Sequence, residues 1–569
     1  MTAFERLLAP PRAALIVMAL AALAALAGLF TVPVIDRDEA RYAQATAQML
    51  ESGDPVRIRF QDEPRHKKPV AIYWLQAASV ALVSDPAARE IWAWRLPSLL
   101  GTMLAALAVH LAGLALAGRR AAFAGASLFA VSVMLATEGA IAKTDAALAA
   151  ACAFAFLSLV KVRLAASRPD DPGAHPGAWA AAGWAAVAVG AMIKGPVAPL
   201  AMGLAVIALS AWERRTGWWR FYLRWPGPLL AAAIVAPWLI AVQIATGGEF
   251  LADMLGGDVA PKIASGHEGH GAPPGAHTLL LPVLFFPAIA FLPAGLAAAL
   301  RGLREGGDGA RAARLALAWA VPFFVLFELM PTKLPHYTLP AWPGLAVLAG
   351  WGLAELSRTR PLVRTLGAGL ALLGALVLAG LVIALARRFE GPQAVAAAGG
   401  VLLVLCTLAA GFAAVRARRW TALGLAILAA LTFHVMARGL VLPASGELFL
   451  TRTLTRELGG TGLLAGEPQI VSTYTEPSLV FALRGDVELV DVSELASVLE
   501  ASRGPLVVIL DTARLAEAPD REAAQALRAR LEAAACARYA VSGFNYSRGD
   551  PTSLLVLRIG GCPQTESPA

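Results

Sequence analysis

Apolar runs of membrane-crossing length recur along most of this chain, and that recurrence limits its possible folds more than any other feature. A helix needs about 20 apolar residues to cross a hydrocarbon core. Stretches that qualify lie near 13–35, 92–117, 120–138, 145–166, 177–193, 196–212, 227–246, 278–300, 312–331, 337–356, 361–386, 393–415 and 420–442, about thirteen in all. Composition agrees: 58% of the 569 residues are hydrophobic and only 15% are charged, against roughly 25% in soluble domains. Such a chain lacks the polar surface of a soluble globule. Its net charge of +8 is too thinly spread for a nucleic-acid-binding protein. The first run, Ala13 to Phe30, has no small-residue cleavage site after it and is expected to stay as an anchor.

Basic residues cluster in alternate links. Arg119 and Arg120; Lys161, Arg163 and Arg168; Arg214, Arg215, Arg220 and Arg224; Arg301, Arg304, Arg311 and Arg314; Arg358, Arg360 and Arg364; and Arg416, Arg418 and Arg419 mark the inner face, with Arg6 and Arg12. The Arg387–Arg388 pair and the basic residues of the long first outer link depart from this alternation. The reading is an all-α polytopic membrane domain over residues 1–442, with an outer loop at 36–90 that carries an interfacial helix. From 443 to 569 the pattern changes. Short β-rich runs (469–473, 506–510, 553–559) alternate with helical ones (494–502, 521–534), predicting an outward-facing α/β domain. Cys536 and Cys562 fall in it, and an oxidising compartment permits either a disulfide or two thiols.

Mid-span charge is scarce, which argues against an ion-coupled pump. Polar residues gather instead in the outer links. Asp36, Asp38 and Glu39 precede a helical run, a placement that suits capping and dipole stabilisation and equally suits Asp38 as a general base at the membrane surface. Arg41 and Tyr42 follow, Arg41 with the bidentate geometry that grips phosphate. The segment 70–83 is too short to span and carries Tyr73 and Trp74, as an interfacial helix does. His66, Lys67 and Lys68 stand before it, as lipid-headgroup anchors or, for Lys68 beside Pro69, as a phosphate ligand. Three short links add Glu138, Lys143 and Asp145; Lys194 at a Gly-Pro turn; and Lys333, His336 and Tyr337 between prolines. Each alone is compatible with an ordinary turn, but together they place cations and carboxylates on one face, at the depth of a lipid phosphate. His267, Glu268, His270 and His277 lie in a glycine-rich outer loop, read as a mobile substrate cover, with His267 and His270 as weak metal-ligand candidates.

The phrases DEARY (Asp38 to Tyr42), KP (Lys68–Pro69), KTD (Lys143 to Asp145), KGP (Lys194 to Pro196) and KLPHYTLP (Lys333 to Pro340), in that order, resemble the polyprenyl-phosphate-sugar-dependent GT-C membrane glycosyltransferases. The bacterial branch that holds lipid A aminoarabinose transferase and protein O-mannosyltransferase-like enzymes is the nearest in pattern. The resemblance implies a GT-C fold with a periplasmic α/β domain in a bacterial inner membrane. It further implies inverting transfer of a sugar from an undecaprenyl-phosphate carrier to a lipid, glycan or protein acceptor. On this basis Asp38 is the catalytic carboxylate and Arg41, Lys68 and Tyr337 bind the carrier phosphate. Glu39, Tyr42, Asp145, Lys194, Lys333 and His336 are substrate-binding candidates, and no cofactor is required. Two departures, Lys67 where an acidic residue commonly precedes the KP lysine and the histidine-glycine loop, leave donor sugar and acceptor open. The rival readings are a flippase for lipid-linked sugars and a sensor built around the C-terminal domain.

Overall fold

The computed structural model describes residues 8–167, 175–259 and 271–561. Helices occupy at least part of each of the thirteen expected stretches, but among the described residues only eight are long and apolar enough to cross a membrane. The count of thirteen spans is therefore not established, and the reasons are local. The first helix, Pro10–Leu26, and the helices Val197–Glu213 and Trp342–Ala354 are short. The stretch near 278–300 is broken into Ala276–Leu284, Ala288–Ala290 and Leu292–Glu305, with Pro282, Pro287 and Pro293 at and around the breaks. The second and third stretches form one 40-residue element, Ile91–Ala130, which turns at Gly118 with φ 78°, a conformation that glycine adopts without strain.

Small residues let the helices approach closely. A Cβ on Gly350 would sit 2.2 Å from the Ala121 carbonyl oxygen, so Trp342–Ala354 and Ile91–Ala130 touch backbone to backbone. Two arginines are buried in this interior. Arg95 forks onto Glu39 at 2.8 and 2.9 Å and also donates to the carbonyls of Leu29, Val32 and Pro33. Arg438 donates to the carbonyls of Ala136 and Ala24 and contacts His434. Both satisfy several buried carbonyls at once, which the scarcity of charge in the sequence did not foreshadow.

The outer loop contains the helix Asp38–Ser52, a two-stranded ribbon at 59–64 and the helix Ala71–Val83. Asp38–Ser52 is alanine-rich and stops at Gly53 with φ 68°, a left-handed helix end. Ala71–Val83 turns Ile72, Tyr73 and Val80 inward and leaves Trp74, Leu75 and Leu82 exposed, the two-sided character of a surface-lying apolar helix.

Beyond Ala444 the chain forms a five-stranded mixed sheet. Its order is 488–489, 469–472, 506–511, 550–559, 537–545, with the first three strands parallel and the last two pairings antiparallel. The central strand LVVILD is buried at every position, as expected where both faces are covered. The expected strands and helices all appear; the strands 488–489 and 537–545 are additional. Cys536 is disulfide-bonded, while Cys562 lies outside the described residues. This domain sits on the outer loop: Phe481 packs with Ala43, Ala47, Trp94 and Ala142 in one buried cluster.

Candidate active site

Four separated segments converge on a cavity of about 340 Å³ whose wall includes Lys68, Asp145, Lys194, His336 and Tyr337. Each segment is positioned by its own local structure. Asp145 opens the helix Asp145–Ala166, where the helix dipole favours a carboxylate. Lys194 closes the helix Pro176–Lys194, which turns sharply at Gly195 (φ 60°) before Pro196; a cation suits that C-terminal end. His336 and Tyr337 lie on the 3-10 turn Pro335–Ala341. The remaining wall is largely aliphatic, with Leu148, Leu200 and Phe327 among its residues.

The charged groups form one network. Lys194 Nζ donates to Asp145 Oδ1 at 2.6 Å, and Lys143 Nζ lies 3.0 Å from Glu138 and 3.6 Å from Asp145. His336 Nε2 is 3.6 Å from Asp145, its Nδ1 is 3.8 Å from Glu138, and Lys194 stands over the Tyr337 ring at 5.7 Å. Burial holds the His336 imidazole well below its usual range despite Asp145, helped by the positive Lys143 and Lys194. Lys143 and Lys194 are matched by Glu138 and Asp145, and Lys68, whose Nζ donates to the Lys67 carbonyl at 3.0 Å, adds a further cation to the wall.

Asp38 lies in the first turn of its helix and is exposed. Burial raises the Tyr42 and Tyr73 hydroxyls, and the charge of Asp38 adds a smaller contribution to both, as it does at Arg65 and Lys143. Arg41 follows three residues later, on the same side of the helix. Tyr42 is buried beneath the Arg65 guanidinium, 5.1 Å from its ring, and Arg65 donates to the Tyr73 hydroxyl at 3.2 Å. Sequence reasoning passed over Arg65 in favour of its neighbours His66 to Lys68; its only signal was a fourth cation in the run DEPRHKKP.

Two candidates take structural positions instead. Glu39 is buried, with its carboxylate accepting from Arg95 and from the backbone N–H groups of Ala142 and Ile35; this carboxylate ties the loop helix to the membrane domain and leaves little for a substrate. Lys333 donates to the carbonyls of Glu328 and Met330, closing the end of the helix Gly307–Leu329. His267, Glu268 and His270 lie outside the described residues; His277 pairs with Glu328 at 3.2 Å. Among the described residues no three His, Cys, Asp or Glu side chains gather as metal ligands.

The segment leading into Asp38 is held by the C-terminal domain. The Tyr546 hydroxyl meets the Asp36 backbone N–H, Ser478 N–H donates to the Asp36 carboxylate at 2.9 Å, and Arg37 donates to the Ser547 carbonyl. Burial first, and the charge of Glu476 second, push the Asp36 carboxyl up to about 7.

Comparison with known proteins bears on the fold. Residues 67–240 fit the profile of the dolichyl-phosphate-mannose-protein mannosyltransferase family. The structure superposes on ArnT from Cupriavidus metallidurans bound to undecaprenyl phosphate with a TM-score of 0.75 at 20% identity, covering 98% of this chain and 99% of that one. The fold is that of a GT-C membrane glycosyltransferase. An undecaprenyl phosphate-alpha-4-amino-4-deoxy-L-arabinose arabinosyl transferase of Edwardsiella ictaluri is 29% identical over 55% of this chain and 54% of its own length. A transferase of the same name from Pseudomonas paraeruginosa is 29% identical over 80% of each chain. The chain thus spans about half the length of the first of these relatives. Like the GT-C fold it shares, the chain is a multi-pass membrane protein.

Proposed function

We propose that the protein is an inverting glycosyltransferase of a bacterial inner membrane, moving a sugar from undecaprenyl phosphate to an acceptor at the periplasmic face. The observation that carries this reading is the cavity itself: an aliphatic wall meeting Lys68, Lys194, His336 and Tyr337 fits a molecule that is hydrocarbon on one side and phosphate on the other. The acceptor oxygen attacks the anomeric carbon, the bond from that carbon to the carrier phosphate oxygen breaks, and the polyprenyl phosphate leaves with its extra negative charge. On this reading Lys68 and Arg41 stabilise that charge as it develops. Asp38 takes the proton of a hydroxyl acceptor, or orients an acceptor that is already an anion. The 4-amino-4-deoxy-L-arabinose carrier in the relatives' names is the first donor to test, and a lipid A-like glycolipid the first acceptor.

The assay is turnover of synthetic undecaprenyl-phosphate sugars by the full-length protein in detergent, read by mass spectrometry of both products. Release of carrier phosphate with a new glycosidic bond is expected. Donor recovered intact from every sugar and acceptor tried, while vesicle experiments show it moved across the bilayer, would replace this reading with a flippase.

A further inference from the structure

A second charged cavity, of about 640 Å³, lies at the other end of the same helices and takes no part in the chemistry above. Asp145 and Arg163 belong to one helix, Asp145–Ala166, and eighteen residues at 1.5 Å each separate them by about 27 Å. The helix Val197–Glu213 likewise runs from the outer cavity to Glu213, and Gly307–Leu329 runs back from Arg311 and Arg314 to Phe327. With a hydrocarbon core about 30 Å thick, the second cavity stands at the opposite headgroup layer.

Its lining is unlike that of the outer cavity. Among the described residues, five arginines, Arg163, Arg215, Arg220, Arg311 and Arg314, line it with one acid, Glu213. Glu213 is bound to Arg163, and Asp308, outside the lining, takes Arg311 at 2.6 Å. Two aromatic rings back the guanidinium groups: Arg163 stands 5.5 Å from the Trp218 ring and Arg220 4.9 Å from Phe221. The Nε atoms of Arg163 and Arg314 are buried without a hydrogen-bond partner. The preference for basic residues in inner links explains why each link carries arginines. It does not require three links to aim them into one hollow, where like charges repel.

We propose that this cavity binds the phosphate of an anionic phospholipid headgroup in the leaflet opposite the candidate active site. Arginine forks match phosphate oxygens two at a time, and basic pockets between transmembrane helices are a known setting for such headgroups. The neighbouring Trp218 and Phe221 occupy the interfacial depth where aromatic rings collect. The site holds whether or not the outer cavity transfers sugars.

The test uses full-length protein stripped of lipid in detergent and examined by native mass spectrometry. Added phosphatidylglycerol is expected to remain bound at least about tenfold better than phosphatidylethanolamine, and the triple variant R215Q/R311Q/R314Q to lose that preference. A photoactivatable phosphatidylglycerol, which needs no variant, is expected to label peptides within 213–221 and 307–314. Equal retention of the two lipids, labelling spread along the spans, or displacement by millimolar inorganic phosphate would overturn the proposal, the last by assigning the cavity to a soluble anion.

Discussion

The two cavities share three helices and a supply of cations, yet they are built for different work. In the outer one, Lys143 and Lys194 are tied to Glu138 and Asp145, His336 stands between the acids, and Asp38 is exposed. In the inner one, five arginines and a single acid are found among the described lining residues. Arginine does not give up its proton, so those five groups can hold an anion but cannot exchange protons with it. The outer cavity has both functions available. Chemistry is therefore to be sought where acids and bases are interleaved, and simple recognition where one charge dominates.

That contrast breaks if the carboxylate at the outer edge is dispensable. D38N is expected to reduce turnover by about 10²–10⁴ without changing thermal stability, whereas removing the adjacent acid acts on the fold. E39A strands buried Arg95 and is expected to cost about 3–5 kcal/mol, seen as a lowered melting temperature and poor recovery from membranes. A catalytic loss from E39A with stability unchanged would show that the two neighbours have been assigned the wrong way round.

A smaller effect separates binding from chemistry. K68A is expected to raise the KM for the lipid-linked donor about tenfold, as loss of roughly 1.4 kcal/mol of a charge-assisted contact would, and to leave acceptor KM alone. R311Q/R314Q should change neither constant in detergent by more than about twofold, since those groups lie some 27 Å away along the helices. Equal effects of the two substitutions on donor KM would erase the division between the cavities.

The smallest expected effect concerns docking of the C-terminal domain. Asp36 has a carboxyl raised from 3.8 to about 7 in the fold. The native state therefore holds this proton between those values, and its contribution is fully present below about pH 4 and is lost as pH rises through 7. Amide exchange in 474–482 and 541–548, corrected for intrinsic rate, should show protection falling between pH 5 and 8, and D36N should flatten that fall. A wild-type profile already flat would mean that Asp36 does not report on docking.

Much of the architecture was legible because membrane solvation writes itself into local composition: apolar runs, basic links and the switch to β-rich segments after 443 all act over a few residues. Lys68, Asp145, Lys194, His336 and Tyr337 could be named from motif order, and the fold brings them to one wall. What stayed hidden is non-local. Glu39 and Asp38 look equivalent in sequence until Arg95, 56 residues on, claims one of them. Lys333 resembles a ligand until the end of its own helix supplies carbonyls. Arg65 becomes visible only when it lies over the Tyr42 ring and donates to the Tyr73 hydroxyl, and the hold of Tyr546 and Ser478 on Asp36 joins residues more than 400 apart.

The most direct measurement is equilibrium binding of undecaprenyl phosphate to the purified full-length protein, comparing wild type with K68A and D38N. If the outer cavity seats the carrier phosphate, K68A weakens binding about tenfold while D38N binds at least as tightly as wild type. Unchanged affinity in K68A, or a matching loss in D38N, would mean that the phosphate lies elsewhere.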